Sequence, residues 1–150
     1  MTATGHAVVG TVIAVAVSNP IIGIPLAILS HIAADAFPHW DIGTNRDDKP
    51  HDRFVIEAVG DVIFSYIIAI LLITLLFPQT NLYYALVMVF AAQFLDWASA
   101  PYVFFKITKP SFFNLVYKFQ KTFDNRLDKP WGIIGQVTVL VILVVLATRI

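Results

Sequence analysis

Long apolar runs alternate with short polar breaks along this chain, and five of the runs predict helices. They extend from about Thr4 to Ser18, Pro20 to Phe37, Phe54 to Phe77, Leu82 to Trp97 and Trp131 to Thr148. At about 1.5 Å per residue the last four reach roughly 24–36 Å and the first roughly 22 Å, against a bilayer hydrocarbon core of about 30 Å. Asn19-Pro20 and Pro78-Gln79-Thr80-Asn81 read as tight turns between antiparallel helices. Pro38 stops the second helix, because the residue before a proline is driven out of the α region. A sixth segment, SFFNLVYKFQKTFDNRL at 111–127, follows another pattern. Phe112, Val116, Phe119, Phe123 and Leu127 recur every three or four positions, while Lys118, Lys121 and Asn125 lie off that stripe. This spacing predicts an amphipathic helix lying at the membrane interface. The expected fold is therefore all-α. It is a polytopic membrane helix bundle, one domain over residues 1–150, with about five spans and one interfacial helix.

Composition strengthens that expectation. Hydrophobic residues make up 58% of the chain and charged residues 13%, where a soluble domain carries about a quarter charged residues. There is no cysteine, which excludes disulfides and thiolate metal sites. The opening MTATGHAVVG lacks the basic region of a signal peptide, so the first apolar run is expected to be retained. Nine of the ten basic residues fall in the 38–53 and 98–130 loops, and only Arg149 lies beyond the last run. The positive-inside rule then places the protein in the cytoplasmic (inner) membrane, N-terminus in the cytoplasm and C-terminus outside. With zero net charge and no basic patch interleaved with aromatics, nucleic acid is excluded as a partner and the lipid bilayer is the expected one.

The polar residues inside the apolar runs carry the chemistry. HIAADAFPHWD, residues 31–41, holds two histidines and two aspartates. His31 and Asp35 are spaced to share one helix face, and His39 and Asp41 follow across Pro38. Glu57 and Asp61 form a second pair of the same spacing, His6 lies near the first helix start, and Asp96 closes the fourth run. Antiparallel packing brings these helix ends to one level. A lone charge in a membrane helix costs about 2.5–3.5 kcal/mol, and neighbouring carboxylates repel one another. A divalent cation removes both penalties. Mixed imidazole and carboxylate donors suit Zn²⁺, with Mn²⁺ or Fe²⁺ as alternatives. The candidate ligands are His6, His31, Asp35, His39, Asp61 and Asp96. Glu57 is the candidate general base, Asp41 a further catalytic or orienting carboxylate, and Gln93 and Gln120 are candidate hydrogen-bonding supports of the ligands.

Gly5-His6, Ser30-His31…Asp35 and Pro38-His39-Trp40-Asp41 together resemble the small inner-membrane proteins identified as metal-dependent hydrolases, and short bacterial membrane proteins in which Ser-His-x-x-x-Asp runs into Pro-His-x-Asp. Phe94-Leu95-Asp96 and Trp131-Gly132…Gln136 extend the likeness over most of the chain. The larger family's His-Arg-Gly-x-Thr-His and Pro-Asp-x-Asp-His blocks are absent, and Phe119-Gln120 stands where such proteins often carry Phe-His. The resemblance implies a membrane metal-dependent hydrolase. A site at headgroup depth beside a basic interfacial segment fits a lipid or phosphorylated amphiphile as substrate. Two rivals remain: a scaffold whose ion or polar cluster only staples helix ends, and an ion transporter. A transporter needs polar residues continuing to the far side, yet the third run beyond Ser65 is apolar apart from Tyr66 and Thr74.

Overall fold

The computed structural model describes residues 1–150. It is all-helical: α1 (Ala3–Ala16), α2 (Pro20–Ala36), α3 (His51–Leu76), α4 (Leu82–Ala92), α5 (Phe94–Phe105), α6 (Phe112–Gln120) and α7 (Trp131–Ala147). A short 3-10 turn at Arg46–Asp48 lies in the α2–α3 loop. The side chains of Asn19 and Asn81 accept the backbone N–H of Ile21 and Tyr84, so the two predicted turns begin α2 and α4 with side-chain caps.

α1 is the central helix, packed on α2, α3, α4 and α7, and α5 carries α6. It can sit there because five of its seven buried positions are small, Gly5, Ala7, Gly10, Thr11 and Ala14, the others being His6 and Val8. The same holds throughout, since alanine supplies nine of the eighteen buried apolar residues, which lets helix backbones approach closely. Phe77, Ile73 and Met88 are buried among them, but most large apolar residues point the other way. Ile21 is 82% exposed, Leu75 73% and Ile56 71%. Small and polar residues inside with branched aliphatics outside is the distribution expected of helices solvated by lipid.

Two expected elements are corrected. The fourth run is not one helix over 82–97: it breaks at Gln93, and α4 and α5 meet at a bend of 50°. The amphipathic segment is helical only over Phe112–Gln120. Residues after it run as an extended strap over the end of α2, where His39 N–H donates to Asn125 O (3.2 Å) and Leu127 N–H to His39 O (2.7 Å). Within α6 the stripe is divided, with Val116 buried and Phe112 and Phe119 about half exposed. One helix, α3, is by itself long and apolar enough to cross a membrane, and the bent α4–α5 pair qualifies if taken as one span. α1, at 14 residues, is roughly 21 Å long.

Close approach sets a clear test. A Cβ at Gly10 would lie 2.8 Å from the Met88 carbonyl oxygen and 3.1 Å from Ala92 Cβ, whereas one at Gly60 meets nothing within 4 Å. Gly10→Val is expected to destabilise the fold by about 1–3 kcal/mol. Gly60→Ala should leave it unchanged or raise it by up to about 1 kcal/mol. Thermal unfolding in detergent measures both.

Candidate metal centre

The break at Gln93 builds one side of the site. The Ala92 carbonyl, which a continuous helix would bond to the Asp96 N–H, accepts no backbone hydrogen bond. His31 Nδ1 lies 2.8 Å from it instead. A carbonyl only accepts, so Nδ1 carries the proton and Nε2 presents its lone pair. Gln93 fills the break: its amide donates to Ala3 O and Ser65 Oγ, each at 2.9 Å. It thereby ties α3 and the first turn of α1 to the bend.

Around His31 Nε2 the donors converge. Asp35 Oδ2 lies at 3.2 Å and Asp96 Oδ1 at 3.7 Å, while His6 Nε2 is 3.1 Å from Asp35 Oδ1 and 4.0 Å from Asp96 Oδ2. The two imidazoles stack with centroids 4.0 Å apart and planes within 5°, which sets their Nε2 atoms side by side. His6, His31 and Asp35 are buried; the Asp96 side chain is 47% exposed. Both His6 ring nitrogens lack a hydrogen-bond partner, because the approach to Asp35 is close but misaligned. Metal–nitrogen bonds of about 2.0–2.1 Å imply about 3.3 Å between donors of a tetrahedron. The spacings here bracket that value, and an orphaned buried imidazole is the group such an ion would satisfy. Gln120 Nε2 donates to Asp96 Oδ1 at 2.9 Å and approaches His31 Nε2 at 3.3 Å, so the residue expected as a support does touch two of the donors. The Met1 amine also reaches Asp35 Oδ1, and it lies 2.7 Å from His39 Nε2.

A second group adjoins the first. Donor atoms of His39, Asp41 and Asp124 lie within 4.8 Å of one another. His39 Nδ1 donates to Phe37 O at 2.8 Å, and burial pushes its imidazole below the ordinary value, leaving a neutral ring. Asp124 escaped the sequence reading, which took its segment as an interfacial helix. The only signal was that it is the sole acid within Lys118–Arg126, a stretch with three basic residues.

Other expected residues lie elsewhere. Asp61 is not at the cluster: it accepts Ala3 N–H (2.7 Å), Thr4 N–H (3.2 Å) and Thr4 Oγ–H (2.7 Å), closing the open N-terminus of α1. Glu57 lies between Lys49 and Arg53, 2.8 Å from each, and lines a smaller cavity with Trp40 and Lys129. A carboxylate so engaged is no general base for the cluster. Asp41 accepts from Thr44 and pairs with Arg126 Nη2 at 3.1 Å.

Asp35 and Asp96 line the floor of an open cavity of about 830 Å³, walled by Phe54, Trp97, Tyr102, Tyr117, Arg46 and Lys106 among others. Comparison of the chain with protein-family models, with curated proteins and with solved structures finds no match.

Two outcomes follow from these placements. Asp61→Ala should lower the melting temperature and weaken metal retention about 10–100-fold, as loss of a ligand's support does, with Asp61→Asn milder; a metal titration with parallel thermal melts measures this. Burial raises the Asp124 carboxyl, but the Lys121 ammonium hydrogen bond and the Arg126 charge outweigh it and hold it below its ordinary value. Stability from Asp124 is therefore complete above the unfolded-state value, near 3.8, and is lost as pH falls through the depressed folded-state value. Asp124→Asn should flatten that acid-side loss in melts recorded between about pH 5 and 2.

Proposed function

We propose that this chain is a multi-pass membrane protein that uses a single metal centre for hydrolysis, held by His6, His31 and Asp96 with Asp35 beside them. The observation that carries the reading is the exposure of one ligand alone. His6, His31 and Asp35 are buried, and Asp96 is the one side chain exposed in the large cavity whose lining Asp35 also reaches. Catalytic sites hold the ion by three protein ligands and keep a fourth position for water or substrate; His6, His31 and Asp96 are the three donors grouped here, with Asp35 beside them and engaged by the Met1 amine, so the fourth position faces the cavity. Zn²⁺, Mn²⁺ and Fe²⁺ all suit the donor set. Such an ion lowers the pKa of a bound water toward about 7 and polarises the scissile group.

The chain's own residues supply the rest. Ala92 O fixes the tautomer of His31, and Asp61 and Gln93 hold the turn that carries His6. Gln120 orients Asp96; a half-turn of its amide would present oxygen to the same point. Walls that combine aromatic side chains with Arg46 and Lys106 suit a lipid or phosphorylated amphiphile. The apolar exterior supports membrane insertion of more helices than α3, and the lopsided basic loops support a cytoplasmic N-terminus.

A structural role is the second reading, favoured by Gln120 where a histidine would complete a richer ligand set and by the engagement of Asp41, Glu57 and Asp61 in ion pairs and caps. Elemental analysis of the detergent-purified protein decides the first point: about one equivalent of transition metal is expected, lost in His31→Ala and Asp35→Asn. A wild type without metal would end the proposal. Chelator-sensitive release of phosphate or fatty acid from amphiphilic esters then separates enzyme from scaffold, and metal content without any such release favours the scaffold.

A further inference from the structure

We infer that His39, Asp41 and Asp124 form a second cation position beside the first, and that the Arg126 guanidinium fills it. The chain then holds one metal ion and one arginine where the donors would otherwise hold two ions. The inference rests on the metal-centre reading above.

The two groups are joined through Asp35. Its Oδ1 is 3.1 Å from His6 Nε2 on one side and 4.0 Å from His39 Nε2 on the other, while Oδ2 faces His31. His39 is fully buried, and its Nδ1–H is spent on the Phe37 carbonyl. Its Nε2 lone pair therefore accepts from the Met1 amine at 2.7 Å and lies 3.6 Å from Asp124 Oδ1, so an ion placed here would displace that amine. An imidazole and three carboxylates in reach are what a divalent ion would collect.

Arg126 is already there. Nη2 lies 3.1 Å from Asp41 Oδ2, Nε lies 3.0 Å from Asp124 Oδ2, and Nη1 donates to Gly43 O at 2.5 Å. Its backbone cannot drift, because its neighbours Asn125 and Leu127 are hydrogen-bonded to His39 itself. A guanidinium is charged at every working pH and its fork matches two carboxylates, so it competes with an ion for the same oxygens and repels one placed beside it. It differs from an ion in carrying no water to activate. Three of its five N–H donors are accounted for, and the residue lines the main cavity. The remaining donors can hold an oxyanion between guanidinium and metal, so the site suits an anionic substrate.

The test uses full-length protein in detergent, loaded with Mn²⁺ alone, freed of excess by gel filtration, and read by elemental analysis and electron paramagnetic resonance. Wild type is expected to hold one ion with an uncoupled spectrum. Arg126→Gln should hold two, with exchange-coupled signals from ions sharing Asp35. Lys121→Gln, which removes a cation that pairs with Asp124 but not with Asp41, should remain at one. Two ions in the wild type, or one in a folded Arg126→Gln, overturns the inference. Should that variant fail to fold, Arg126→Met is read in the same way, since it keeps the aliphatic stem and removes the charge. Wild type and Arg126→Gln both free of metal would defeat the metal-centre reading instead.

Discussion

A carboxylate buried among helices has to be answered by positive charge or by donors, and Asp35 is that carboxylate here. It sits in the last turn of α2, nearly inaccessible, with imidazoles on two sides and the Met1 amine on a third. An uncompensated carboxylate in so apolar a chain is among the most expensive groups a fold can contain. Much of the surrounding architecture follows from compensating it. The bend at Gln93 frees a carbonyl for His31, the small residues of α1 let His6 approach, and the strap donates Asn125 N–H to the Asp35 carbonyl at 2.9 Å.

The same constraint separates two kinds of polar residue that look alike in the sequence. Donor atoms of His6, His31, Asp35 and Asp96 converge, and the ring nitrogens of His6 have no partner. Asp41, Glu57 and Asp61 are consumed by arginine, lysine or backbone amides. Acidic residues at a shared depth are therefore a mixed population. Some are held for chemistry and some neutralise the loops and helix ends that hold the others in place.

Local pattern made the helices and the His31–Asp35 pair legible, because a spacing of four fixes a shared face without knowledge of the neighbours. Gln120 was legible through its position on the segment facing the site. What the pattern missed depends on partners distant in the chain. Asp61 has the right depth for a ligand, but the free amides of Ala3 and Thr4 lie nearer and take it. The break at Gln93 carries no proline or glycine; it rests on bonds to Ala3 and Ser65, which only the packed bundle supplies. Asp124 was hidden by the apolar stripe around it, which reads as a longer helix than the one that forms.

X-ray absorption at the metal edge of the purified protein tests the central claim most directly. The account predicts a first coordination shell of nitrogen and oxygen at about 2.0–2.2 Å with the outer scattering of two imidazoles, falling to one in His6→Ala. A shell of oxygen alone, or one unchanged by that substitution, would contradict it.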